Sequence, residues 1–420
     1  MNYIVLIILL PLVIILALLL LPGHKFWLKG LITMTASVVL MAGSLILIFK
    51  PAERWQLFFP VYFPDLLHRF SHFLDFTSDG IGGMLMLFTG IMLPILAAGA
   101  ITYQRRTTAG DHFYAWFLLS AGLSFLIFST LHIYTLLVIW GVAAVPLFML
   151  ASGNTEGLAA TGKKTLILFG SAHGLMATGA VMAVALSGTP FIDSIHLDTS
   201  ITMHRISFLL LLSGGLMTVG IIPLHGWIVN IGRFATSRVT ALMPLVLMRF
   251  AGIYLLIRLC HDLFILDFYS KLIIYILASF TIFWGMVIGF TAKQTNAKLM
   301  YIHVAVGGLA LMGIATGTPA GLIAAVSMVT GASAILSVRI LFYKPTLPDV
   351  GREEEWRIIS AVNLLETSGY TDLYHIVSKL VFSIHRPLSR LHDGVLQTYL
   401  VWVMAALVIL FLLNGILYGH

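Results

Sequence analysis

Four ionisable side chains stand inside long apolar runs of this sequence: His173, His225, Arg249 and His303, with His132 in a tight turn between two such runs. A charge at the centre of a bilayer costs on the order of 3 kcal/mol or more unless it is paired or hydrated, so residues of this kind are the first candidates for an ion or proton path. Histidine suits that work because it titrates closest to neutral pH. For His173 and His303 two readings stand side by side, a structural hydrogen bond between helices and a hydrated relay. Asp193, Asp198, His196 and His204 share one loop and could meet a metal ion, but polar loops often hold such mixtures and no metal site is expected. No Asp or Glu falls inside a predicted span, and no acidic pair or nucleophilic triad of the sort a membrane enzyme would need is evident, so catalysis by the chain alone is not expected.

The elements that must hold these groups are membrane-spanning helices. Of 420 residues 59% are hydrophobic and 10% charged, whereas soluble domains carry roughly 25% charged residues. Apolar runs of about 18 residues, the length that crosses hydrocarbon, recur along the chain. The fold class is an all-α integral membrane protein with about 12 spans, at 3–22, 28–49, 80–102, 112–130, 133–151, 165–187, 206–222, 239–258, 271–291, 299–316, 319–342 and 398–417. The first is read as a retained helix, since it lacks the basic start and small-residue cleavage site of a signal peptide. With the N-terminus outside, most of the 24 Lys and Arg residues fall on one side of the membrane, which places that side in the cytoplasm and the protein in the cytoplasmic membrane. The single Cys260 excludes an internal disulfide and any multi-cysteine cluster, so no cofactor is expected on this chain, and redox groups would belong to partners.

Two segments interrupt the hydrophobic rhythm. Residues 51–79 mix aromatic with charged side chains and read as an interfacial loop. Residues 345–397 open on Asp349, Arg352, Glu353, Glu354 and Glu355 and then repeat apolar residues every three or four positions, from Leu373 to Val395. That is the pattern of an amphipathic helix lying on the cytoplasmic surface; a brace against neighbouring subunits is the alternative.

Pro223 predicts a broken span. A proline inside a helix cannot donate its backbone hydrogen bond and frees the carbonyl four residues earlier, here Val219. Broken backbone at membrane depth is tolerated where it is buried in protein or lines a wet cavity. The plainer reading is a proline at a helix end, with His225 at the cytoplasmic interface.

At this point the residues carry a resemblance. Pro223-Leu224-His225-Gly226-Trp227-Ile228, then Ala241-Leu242, then Gly252-Ile253-Tyr254-Leu255-Leu256-Ile257-Arg258, resembles the pattern of the antiporter-like subunits of respiratory complex I. That family is shared with Mrp-type cation/proton antiporters, energy-converting hydrogenases and inorganic-carbon uptake complexes. Phe73-Leu74-Asp75, Leu136 to Trp140, Lys164 to Leu168 and Gln294 to Tyr301 resemble further family segments in the family's order, over about residues 73–340. The resemblance implies a broken helix at Pro223, Lys164 and Lys298 at the cytoplasmic ends of helices, and Arg249 close to a family lysine.

The departures are as informative. The family moves a proton with a Glu that follows the Trp matched by Trp140 and a Lys five residues before the proline. Here those positions hold Gly141 and Thr218. The family's next relay residues also lack counterparts, since Met328, Thr330 and Leu336 stand around 326–341. The expected organisation is therefore N-terminal helices (1–110), a first five-helix repeat (111–260), a partial second repeat (261–344), the amphipathic segment (345–397) and a last span (398–420). The expected function is a degenerate subunit of a multi-subunit ion-translocating complex. Its expected partners are other membrane subunits and a soluble redox, hydrogenase or carbon dioxide hydrating protein, with no nucleic acid. The alternative is an active proton conductor working through His225, His303 and His173.

Overall fold

A computed structural model describes residues 3–22, 25–49, 54–56, 75–77, 79, 80–104, 112–151, 156–234, 238–292 and 295–342. The predicted amphipathic segment and the last span lie outside the described residues. The chain folds as helices α1 (Tyr3–Leu20), α2 (Phe26–Phe49), α3 (Gly80–Gln104), α4 (Phe113–Ser129), α5 (Ile133–Ala151), α6 (Glu156–Ser187) and α7 (Thr202–Val219). A short α8 (Gly226–Phe234) follows, then α9 (Arg238–Arg258), α10 (Phe268–Thr291), α11 (Thr295–Ala315) and α12 (Pro319–Phe342). Among the described residues, eight helices are long and apolar enough to cross a bilayer. The protein is a multi-pass membrane protein.

The helix ends differ from those that hydropathy suggests. α6 begins at Glu156 rather than near 165, so Glu156 lies in a helix and not in a loop. α7 runs from Thr202 to Val219 rather than over 206–222. Hydropathy reports where hydrocarbon begins, whereas a helix continues into polar surroundings for as long as its backbone bonds are made.

Large apolar side chains face outward, among them Leu16, Ile167, Phe283, Phe290 and Ile335, as lipid contact requires. Inside, small residues let helices approach closely, the usual basis of packing where the hydrophobic effect supplies no drive. α10 and α11 meet along Gly285 and Gly289, where an added Cβ would lie 3.0 Å from the Ala305 nitrogen and 3.1 Å from the Ile302 side chain. Buried hydroxyls satisfy themselves on their own helix, as Ser37 does on the Thr33 carbonyl at 2.8 Å and Ser44 on that of Leu40 at 2.7 Å.

The loops at one end of the bundle are stitched together. β1 (Arg54–Gln56) pairs antiparallel with β2 (Asp75–Thr77), and β3 (Leu197–Asp198) pairs parallel with β4 (Phe264–Ile265). Isolated bridges join Phe76 to Thr130 and His132 to Phe191. These ladders are two or three residues long and belong to the loops, so the membrane domain itself is helical.

Candidate functional site

α7 ends at Val219 because Gly220 turns the chain with φ 78°, a left-handed conformation that glycine adopts without steric cost. The Gly220 amide reaches the Met217 carbonyl and the Ile221 amide the Leu216 carbonyl, the two bonds of a Schellman cap. Helix resumes at Gly226, with a cis peptide between Ile222 and Pro223. The interruption sits deep in the bundle. An added Cβ on Gly252 of α9 would strike the Thr218 hydroxyl and the Val219 nitrogen, and one on Gly307 of α11 would lie 3.2 Å from a Val219 methyl. Both glycines stand well inside their helices, so α7 stops at their level and not at the surface of the bundle.

Two side chains hold the break in place. Trp227 donates from Nε1 to the Met217 carbonyl at 2.8 Å, tying α8 back to the end of α7, and its ring meets Phe169 edge-on at 5.2 Å. The Ile222 amide donates to the hydroxyl of Thr281 on α10 at 3.2 Å. Two backbone groups of the joint, the Met217 carbonyl and the Ile222 amide, are thus met by side chains of the protein, as non-helical backbone in a membrane requires.

Around this joint gather Thr218, Pro223, His225, Arg249 and His303. His225 is 2% exposed; its ring lies beside the Pro223 backbone and 5.6 Å from that of Tyr301, and its Nδ1 has no hydrogen-bond partner. Arg249, near the middle of α9, is wholly enclosed and donates from Nη2 to the His303 carbonyl at 2.5 Å. Its Nε and Nη1, like Nε2 of His303, are unpaired. The Thr218 hydroxyl is spent on its own helix, 3.0 Å from the carbonyls of Gly214 and Gly215.

The other candidates lie elsewhere. His173 of α6 faces Gly141 of α5, with Nε2 3.2 Å from where a Cβ would stand, while its Nδ1 is buried and unpaired. Lys298 is half-buried as the fourth residue of α11, and Lys164 lies within α6. Among the described residues no group of His, Cys, Asp or Glu is arranged to hold a metal ion; His196 and His204 instead lie against backbone carbonyls of Asp262 and Asp198.

Sequence reasoning passed over an ionic cluster at the stitched end. Arg258 pairs with Asp79 and with Asp262, each at 2.6 Å, and its guanidinium lies 4.8 Å from the Tyr254 ring centre. The Tyr254 hydroxyl donates to the Thr130 carbonyl at 2.9 Å. Asp79 also accepts from the Gly82 amide at 2.8 Å, capping α3. An Asp just ahead of an apolar run was the available signal; its partner, far away in sequence, was not.

Residues 130–342, a little over half of the chain, match the family described as NADH:quinone oxidoreductase/Mrp antiporter, transmembrane. The chain belongs to this family. It is similar to NAD(P)H-quinone oxidoreductase chain 4 of Acaryochloris marina, 27% identical over 258 residues, which are 59% of this chain and 47% of the relative. A counterpart from Synechococcus elongatus is 27% identical over 260 residues, 58% and 46% of the two chains. The chain thus spans about half the length of the curated relatives it matches. Its fold resembles a chain of the Mrp complex from Dietzia sp., at TM-score 0.68 and 16% identity over 81% of this chain and 64% of the other. It also resembles a chain of respiratory complex I from Thermus thermophilus, at TM-score 0.64 and 17% identity over 80% and 70%. A chain of an archaeal membrane-bound sulfane sulfur reductase aligns at TM-score 0.66 and 15% identity, over 82% and 57%. Each of these three solved structures is that of a complex. The family membership covers the break, Arg249 and His303.

Proposed function

We propose that this antiporter-like chain is a scaffolding subunit of a proton- or cation-translocating complex in the cytoplasmic membrane, with a degenerate proton path and an incomplete second repeat formed by α10 to α12. The observation that carries the reading is what stands in place of the family's charge pair. The carboxylate position is Gly141, its space faced by the His173 imidazole, and the ammonium position is Thr218, packed on Gly252 with its hydroxyl bonded to its own helix. A switch that works by opening and closing an ion pair has neither ion here. The partners proposed are other membrane subunits and a soluble redox, hydrogenase or carbon dioxide hydrating protein.

A second reading is supported by the unpaired imidazole nitrogens of His173, His225 and His303, which could pass a proton between hydrated sites. The two readings separate when the complex is isolated gently from its native membrane, its co-purifying subunits identified, and proton flux measured in vesicles with His225→Ala and His303→Ala. Scaffolding predicts co-purification with further multi-pass subunits and unchanged flux. Flux that collapses while assembly persists overturns scaffolding and supports the relay.

A further inference from the structure

The guanidinium of Arg249 has no counter-charge within the described part of this chain. The side chain is wholly enclosed. One of its nitrogens meets a backbone carbonyl, a dipole and not a charge, and the other two are buried without a hydrogen-bond partner. Among the described residues the carboxylates that pair with arginines are Asp79, Asp262 and Asp267, and they serve Arg258 and Arg205 at the stitched end. Arginine does not escape by losing its proton, and a buried charge left unpaired is strongly destabilising. The groups closest to it do not supply a negative charge either. Gly307 offers bare backbone where an added Cβ would strike Nη2. The His303 imidazole, which lies within the field of the guanidinium, carries an unpaired buried Nε2 and is at most a donor or a neutral acceptor.

We propose that Arg249 is the cationic pole of an intramembrane anion site that takes a small monovalent anion of the halide class, bound by the guanidinium donors that the His303 carbonyl leaves unpaired. Enclosure by α9, α11 and the end of α7 favours a small ion over a carboxylate carried in by a neighbouring subunit, because a partner's side chain would have to pass through packed helices. Nη2 anchors the guanidinium to His303, so the donors that remain are fixed in direction before the ion arrives. The site would be structural, neutralising a buried charge that ties α9 to α11, and its failure would leave the reading of the chain as a scaffold untouched.

The test uses the full-length protein in detergent, exchanged between sodium chloride, sodium bromide and sodium gluconate at one ionic strength. The unfolding midpoint of the native protein rises with the logarithm of chloride or bromide concentration at constant ionic strength, and gluconate does not substitute. In Arg249→Gln that dependence is lost. Because that variant could fail to fold, the native protein is also crystallised in bromide, and an anomalous peak is expected within hydrogen-bonding distance of the Arg249 guanidinium. The proposal is overturned by a midpoint indifferent to halide, by equal halide dependence in Arg249→Gln, by bromide density at other sites alone, or by a partner's carboxylate found on Arg249 in the assembled complex.

Discussion

Replacing Thr218 by lysine restores the ammonium that the family places there, and the structure sets a cost for it. Thr218 has no exposed surface, and its hydroxyl lies so close to Gly252 that a Cβ there would clash with it. A longer side chain must push α7 and α9 apart, which in a filled core costs about 1–3 kcal/mol. The ammonium would also arrive without a carboxylate, since Gly141 stands at the matching position, and an uncompensated buried charge costs about 3–5 kcal/mol. Thr218→Val is the control. It keeps the shape and removes a hydroxyl whose acceptors, the Gly214 and Gly215 carbonyls, stay within the helix, so its loss is about 1 kcal/mol or less. Thermal melts of both variants in detergent, with the monodisperse fraction on size exclusion, report the difference. The Thr218→Val protein melts close to native, and the Thr218→Lys protein melts well below it or fails to purify. A lysine variant as stable as the native chain would mean that this position opens onto water and room, and the argument that packing has replaced the switch would fall.

Two further outcomes follow from groups outside the spans. Asp267, the N-cap of α10, accepts from the Ser270 amide, the Thr199 hydroxyl and Arg205; hydrogen bonds from Ser270 and Thr199 and the Arg205 charge hold its carboxyl well below the usual carboxylate range. With the folded pKa depressed, its contribution is fully present above about 3.9, the ordinary value for Asp, and is lost as pH falls through the folded value. The gap in melting midpoint between native protein and Asp267→Asn should therefore hold from pH 7 to about 4 and close below that; a gap already closing above pH 5, or constant to pH 2, counts against it. Burial pushes the Cys260 thiol up to about 12, so the reactive thiolate is scarce at neutral pH. Cys260 is half-buried against the apolar core; labelling of native protein by a maleimide at pH 7 should be at least tenfold slower than after denaturation, and equal rates would contradict that burial.

The helices were legible because a bilayer demands long apolar runs, and such runs can be read one residue at a time. The break was legible in part. Pro223 announced an interruption, but the residue that ends α7 is Gly220, and the depth of the joint is set by contacts with Gly252 and Gly307 on two other helices. Arg249 and His303 stood out as charged or titratable groups in apolar surroundings, yet the bond between them joins α9 to α11 and has no local signal. The same holds for Gly141 and His173: absence of a carboxylate is visible in sequence, while the imidazole that faces its place depends on how α5 and α6 are rotated. The Arg258 cluster was missed for that reason too, since Asp79 and Arg258 lie far apart along the chain.

The tie between Ile222 and Thr281 gives α10 a role beyond filling space. This helix turns Phe280, Phe283 and Phe290 toward lipid, so it is a surface on which membrane thickness or a neighbouring subunit can lean. A slide of one residue along its axis, about 1.5 Å, would carry the hydroxyl away from an amide now 3.2 Å distant and leave that donor without this partner. One helix therefore carries both the outer wall and the hydroxyl that ties the inner joint.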